Sequence, residues 1–159
     1  MPMMIRTTQV ADAKPMALLI NKIIVIGGTT AYRHAFDEKQ IVEHFIASPY
    51  GINCAVAVDG AEIVGFQVLL WSDPTWPDDE QLPAGWASIG TYVAPDRQAR
   101  GIGSQLFAAT LAAARAAGVR HIDATIRCEN AGGQAYYDRM GFVDYRSSDD
   151  AISKRLDLA

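Results

Sequence analysis

Apolar residues recur at three-and-four spacing after Asp12, with Met16, Leu19, Ile20, Ile23 and Ile24 on one stripe. That spacing predicts a helix that Asp12 caps and Gly27-Gly28 ends. Ile5 to Thr8 before it reads as a short strand. The helical period returns at Ile41, Val42, Phe45 and Ile46, from a start at Asp37 to a stop at Ser48-Pro49. Beyond it the period changes. Cys54 to Val58 and Glu62 to Trp71 are strand-like runs around Asp59-Gly60, a pair that suits a tight turn with positive φ, so an antiparallel hairpin is expected.

Ser72 to Gly85 holds three prolines and four acids, which is loop composition. A strand from Ala87 to Val93 follows, then a glycine-bearing turn and an alanine-rich helix from Gly101 to Ala117. A strand from His121 to Cys128 leads to a helix from about Gly132 to Met140, for which Gly141 is a natural C-cap. Phe142 to Arg146 and Ile152 to Leu158 suit two closing strands joined by the acidic turn Ser147 to Asp150. The fold class is therefore α/β (α+β), and residues 1–159 are expected to form a single domain.

Composition acts mainly by exclusion. At 159 residues, 50% hydrophobic and 20% charged, the chain can bury a substantial core. A net charge of -4, a pI near 5.2 and scattered basic residues argue against nucleic acid as a partner. The first residues lack a secretory pattern, so a cytoplasmic location is expected. The most apolar stretch, Ala17 to Ile26, is broken by Asn21 and Lys22 and is too short to cross a bilayer, so no membrane partner is expected. Cys54 and Cys128 lie in strand-like runs and read as small buried hydrophobes. His34, His44 and His121 lack companion spacing, and no metal is expected.

The chemistry begins at Gln98-Ala99-Arg100-Gly101-Ile102-Gly103. A strand feeding a glycine turn and a helix start presents free backbone N–H groups and the positive end of a macrodipole, a setting for phosphate. Arg97 and Arg100 are expected to add full charges there. A dinucleotide fingerprint would place a small residue at Leu106 and the glycine turn near the start of a strand-helix series. Here the turn comes two-thirds along the chain, after an antiparallel hairpin, which disfavours that reading.

Farther on come Asn130, then Tyr137 seven residues later, then Gly141-Phe142. Together with the run from Gln98 to Gly103, these residues resemble the two motifs of the GCN5-related N-acetyltransferases (GNAT), and the likeness covers Trp86 to Arg146. The resemblance implies a mixed, mostly antiparallel sheet of about seven strands flanked by about four helices, splayed between the strands ending at Val93 and Cys128. The co-substrate it implies is acetyl-CoA, with pantetheine in the splay beside backbone groups of Tyr92 and Val93. It further implies a pyrophosphate on the amides of Gln98, Ala99, Arg100, Gly101, Ile102, Gly103 and Ser104. Asn130 would contact the pantetheine arm, and Arg139 would reach the adenosine-phosphate end.

By the same resemblance, acetyl passes directly to an amine, an N–H near Tyr92 or Val93 meets the oxyanion, and Tyr137 protonates the departing thiolate while Tyr136 packs on the sheet. The implied acceptor is a small-molecule primary amine, an amino acid or analogue of the phosphinothricin or methionine-sulfoximine kind. A protein or peptide acceptor and a non-catalytic CoA-binding module are the alternatives. The phosphinothricin-type enzymes look closest, through Ile20-Asn21-Lys22-Ile23 and Thr29-Thr30-Ala31, yet their glutamate base matches Ser88 here. The base is left open among the Asp73 to Glu80 loop, Glu43 and an ordered water chain, or none if the amine binds neutral. Thr29, Thr30 and Tyr32 are an expected acceptor wall by position in the family. The acidic loop beside Trp71, Trp76 and Trp86 reads either as a lure for a cation or as an anchored surface loop. Homodimers are common in the family, so the resemblance implies a homodimer as a partner state, for which the C-terminal strands could supply the interface.

Overall fold

The computed structural model describes residues 3–30, 32–98 and 100–158. Strand β1 (Met3–Thr7) pairs antiparallel with β2 (Gly51–Asp59), which pairs with β3 (Glu62–Trp71), which pairs with β4 (Trp86–Val93). The β2–β3 hairpin closes with Asp59 opposite Glu62 and with Gly60 at φ 65°, as the Asp-Gly signal predicts. Strand β5 (His121–Arg127) runs parallel to β4 over three pairs, Trp86 with His121, Ala87 with Ile122 and Ser88 with Asp123. Past Ser88 and Asp123 the two strands part, and the expected splay is present. The closing hairpin, β6 (Val143–Ser147) and β7 (Ala151–Asp157), enters with β7 between β5 and β6. The sheet is seven-stranded and mixed, in the order β1-β2-β3-β4-β5-β7-β6.

Two helical layers cover it. Helix α1 (Ala13–Ile26) and helix α2 (Glu38–Ile41), which continues as a π turn over Val42–Ile46, seal one face. Met16, Ile20, Ile41 and Phe45 there meet Cys54, Val56, Phe66 and Val68 from β2 and β3. The fully buried Met16, Ile20 and Phe66 each contribute about 1.5–3 kcal/mol by leaving water. Helices α3 (Ile102–Ala117) and α4 (Ala131–Arg139) cover the other face. Phe107, Ala114, Tyr137 and Phe142 pack there on Leu69, Ala87, Ile89, Ile122 and Ile126. No helix among the described residues is long and apolar enough to cross a membrane.

Asp37 caps α2 through a reciprocal pair with Gln40, as the expected start at Asp37 requires. Asp12 does not cap α1 with its side chain. Its carboxylate is gripped by both Nη atoms of Arg6, at 2.8 and 2.9 Å, and accepts from the Gln9 N–H at 2.7 Å. A strong cation nearby outcompetes a weak cap. Cys54 is buried as expected, whereas Cys128 falls just past the end of β5 and is exposed. The last helix runs from Ala131 to Arg139, and Gly141 at φ 97° follows it.

Candidate active site

The opening between β4 and β5 is a cleft of about 1400 Å³. Alternation along each strand divides its lining between the two faces of the sheet. Ala87 and Ile89 point into the α3–α4 core, so Ser88, Gly90 and Tyr92 face the α1 side, where Tyr92 stacks on Phe66 with centroids 4.8 Å apart. Thr91 belongs to the α3–α4 side, opposite Gln67 of β3. On β5, Ile122, Ala124 and Ile126 enter the α3–α4 core, which leaves Asp123, Thr125 and Arg127 on the α1 side.

Helix α3 begins at the cleft. Gly101 is its N-cap at φ 78°, a left-handed conformation that a β-carbon would strain, and among the described residues no side chain caps the helix. The first amides of α3 are thus left for a ligand, and Gly101, Ile102, Gly103 and Ser104 all line the cleft. Gly103 is small for another reason: a β-carbon there would lie 2.6 Å from the Tyr136 ring. Gln98 also lines the cleft and donates to the Val93 carbonyl at 3.0 Å, while Arg100 is exposed and Ala99 lies outside the described residues. Arg97 lines the cleft too, but its guanidinium also binds Asp59 at 2.8 Å and Glu62 at 3.2 Å, so its charge is shared with the β2–β3 turn.

Asn130 lines the cleft as well, and its amide is engaged at both ends. Oδ1 accepts from the Gly133 N–H at 2.9 Å, capping α4, and Nδ2 donates to the Thr29 carbonyl at 3.1 Å. The latter bond brings the segment after α1 to the cleft. Asn21 fixes the far end of that segment by bonding both backbone groups of Phe36, at 2.8 and 2.9 Å. Thr29, Thr30 and Tyr32 line the cleft from this segment. Arg139 lines it from α4.

The Tyr137 hydroxyl lies 2.8 Å from Thr91 Oγ1. Gln67 orders this pair by donating from one Nε2 to Thr91 Oγ1 at 2.9 Å and to Tyr136 Oη at 3.1 Å. With Thr91 accepting from Gln67, its own proton can go to Tyr137, which leaves the phenol proton for the cleft. Burial pushes the Tyr137 pKa well up, and the charges of Tyr136 and Asp123 act in the same direction. The phenol stays neutral across the physiological range. Tyr136 does more than pack, since its hydroxyl donates to the Gly103 carbonyl at 2.7 Å.

The loop from Ser72 to Gly85 is a wall of the cleft. Gln81 braces it by donating to the carbonyls of Asp73 at 2.6 Å and Trp76 at 2.9 Å, while Ser72 donates to Gln81 at 2.8 Å. Trp76, Asp79 and Glu80 line the cleft, whereas Trp71 packs in the core and Trp86 lies against His121 and Tyr145. Glu43 points elsewhere, beside Lys39 at 3.8 Å and in a separate small hollow. No sequence motif marks Asp123, which also lines the cleft. It sits in a strand-like run, and only the register that sets it beside Ser88 singles it out. No group of three or more His, Cys, Asp or Glu among the described residues could hold a metal ion.

The same architecture occurs in known proteins. An N-acetyltransferase from Staphylococcus aureus Mu50 superposes with a TM-score of 0.83 at 19% identity, covering 100% of each chain. A phosphinothricin acetyltransferase from Sinorhizobium meliloti in complex with acetyl-CoA gives 0.81 at 16% identity, over 99% of this chain and 89% of that one. A ribosomal-protein-alanine N-acetyltransferase from Brucella melitensis gives 0.80 at 20% identity, over 98% and 99%. No curated protein sequence matches. The model of the acetyltransferase (GNAT) family matches residues 25–142, most of the chain, and the protein belongs to that family.

Proposed function

We propose that this chain acts as one catalytic unit that transfers acetyl from acetyl-CoA directly to the primary amine of a small molecule, an amino acid or an analogue of the phosphinothricin kind. The observation that carries the reading is the Tyr137 hydroxyl, buried beside the β4–β5 opening and 2.8 Å from Thr91 Oγ1, a partner free to donate to it because Gln67 donates to Thr91. The donor's pyrophosphate would rest on the amides of Gln98 through Ser104, with Tyr92, Val93 and Asn130 along the arm. The free α3 amides and the cleft volume suit such a ligand.

The acyl carbonyl gains negative charge during attack, and a backbone N–H at Tyr92 or Val93 would meet it. Tyr137 would then protonate the leaving thiolate, whose own basicity rises in the same dry setting. Two features support a small acceptor. The Ser72 to Gly85 loop is braced from within, and Arg146 reaches it through the Asp79 carbonyl at 3.4 Å, walling one end of the cleft. A thiol-release assay with acetyl-CoA over amino acids, methionine sulfoximine, phosphinothricin, polyamines and short peptides tests the reading. Saturable turnover of amino-acid-type amines is expected. Turnover of peptide N-termini alone overturns the acceptor class, and cofactor binding without any turnover overturns catalysis.

A further inference from the structure

The carboxylates along the cleft occupy very different settings. Asp79, Glu80, Glu129 and Asp150 are exposed, and Glu129 is held by Arg127 at 2.7 Å. Asp123 also lines the cleft but is only 4% exposed. The other buried acid among the described residues is Asp12, and the two are chemically unlike. Arg6 neutralises Asp12 with two hydrogen bonds. Asp123 has no Lys, Arg or His within ion-pair distance among the described residues. Two neutral hydroxyls serve it, Thr125 on Oδ1 at 2.9 Å and Tyr145 on Oδ2. A carboxylate taken out of water without a cation weakens a fold, and such groups concentrate where a protein needs a base.

Register gives this acid its meaning. Asp123 and Ser88 form the last pair before β4 and β5 part, and both side chains face the α1 side, where Thr29, Thr30 and Tyr32 form the cleft wall. Tyr137 approaches the same opening from the α3–α4 side. A proton acceptor and a proton donor thus flank the split from opposite faces of the sheet.

We propose that Asp123, standing on β5 across from Ser88, takes the proton from the acceptor amine. The inference rests on the acetyltransferase reading above. The acceptor enters as an ammonium, and one of its protons passes to the Asp123 carboxylate, directly or through the Ser88 hydroxyl. The freed nitrogen lone pair forms the C–N bond at the thioester carbonyl carbon. The C–S bond then breaks with its electron pair on sulfur, and Tyr137 protonates the sulfur. The second nitrogen proton restores the phenol, and Asp123 releases its proton to solvent. In sum, ammonium and thioester give amide, thiol and one proton.

The groups around Asp123 set where it titrates. Tyr145 and Arg146 lie near it on β6, Arg155 is its partner on β7, His121 and Arg127 share its face of β5, the Tyr137 phenol of α4 is close enough to feel its charge, Asp79 and Glu80 line the same cleft from the loop, and Ser88 opposite it on β4 is uncharged. Burial raises its pKa above the ordinary carboxylate value, against the smaller opposing effects of Tyr145, Thr125 and Arg146. A raised value makes it the better base.

The test compares pH profiles of kcat/KM for thiol release by the whole chain, with L-methionine sulfoximine or else the fastest amine of the panel. In the wild type the rate should rise through the titration of Asp123 and then level off. Asp123→Asn should be about 10²- to 10⁴-fold slower near neutrality. Its rate should climb tenfold per pH unit up to the amine's own pKa, because only pre-formed neutral amine reacts, while calorimetric affinity for acetyl-CoA is unchanged. Tyr145→Phe provides a second check should the first variant fold poorly. Loss of a donor to the carboxylate should move the acid limb to higher pH, which a merely structural role would not do. An Asp123→Asn variant with the wild-type profile, or an unmoved limb in Tyr145→Phe, overturns the assignment of Asp123 alone. A wild type that turns over no amine in the panel overturns the acetyltransferase reading and this assignment with it.

Discussion

Tyr136 and Gly103 are locked to each other: the phenol donates to the Gly103 carbonyl at 2.7 Å, and its ring fills the space a β-carbon at 103 would need. One residue of α4 thereby fixes the height at which α3 begins. Gly103→Ala should therefore lower stability by about 1–3 kcal/mol through overpacking and weaken acetyl-CoA binding. Pairing it with Tyr136→Ala tests the cause. In a double-mutant cycle followed by urea unfolding, the alanine at 103 should cost clearly less once the ring is gone.

Tyr137→Phe removes one hydroxyl and leaves the ring against Phe142, with centroids 5.1 Å apart. Steady-state kinetics should show kcat down by about 10²–10⁴-fold with little change in the acetyl-CoA KM. Because burial raises this phenol's pKa, the wild type should show no loss of rate from its ionisation up to pH about 10, the ordinary tyrosine value. Thr91→Val, which removes the partner at 2.8 Å, should lower kcat less than loss of the phenol itself.

The two buried acids should answer neutralisation with opposite signs. The Arg6 hydrogen bond holds Asp12 below its ordinary pKa, so its stabilisation is whole above the usual carboxylate range and fades as pH falls through the lower native value. Asp12→Asn should lose about 1–3 kcal/mol at pH 7 and converge on the wild type in strong acid. Asp123 is shifted upward by burial, so its charge opposes folding at neutral pH. Asp123→Asn should melt at or above the wild-type temperature at pH 7, a trade of stability for reactivity that thermal unfolding reads directly.

Thiol labelling should distinguish the two cysteines. Burial pushes the Cys54 thiol up to about 12, whereas Cys128 is exposed. One rapid equivalent with an aromatic disulfide reagent is expected in the native protein, and Cys128→Ser should abolish it.

Most of the fold was legible because the chain changes period cleanly. The stripe from Met16 to Ile24, the Asp-Gly hairpin and the capped start at Asp37 each have local causes, and the structure reproduces them. What eluded the sequence was pairing across distance. That Arg97 turns back to Asp59 and Glu62, that Arg6 claims Asp12, and that Ser88 and Asp123 meet are all matters of register between remote strands. Tyr137 and the glycine turn announced themselves by spacing along the chain. Asp123 carries no such signal, because a lone acid in an apolar run looks like an ordinary strand residue.

Where β4 and β5 separate after three pairs, the sheet acquires two strand edges in its interior. An outer edge with unpaired N–H and C=O groups is an aggregation hazard, because any extended chain can add to it. Here the exposed backbone lies between two helical layers, beyond the reach of another protein's flat strand and open only to something thin.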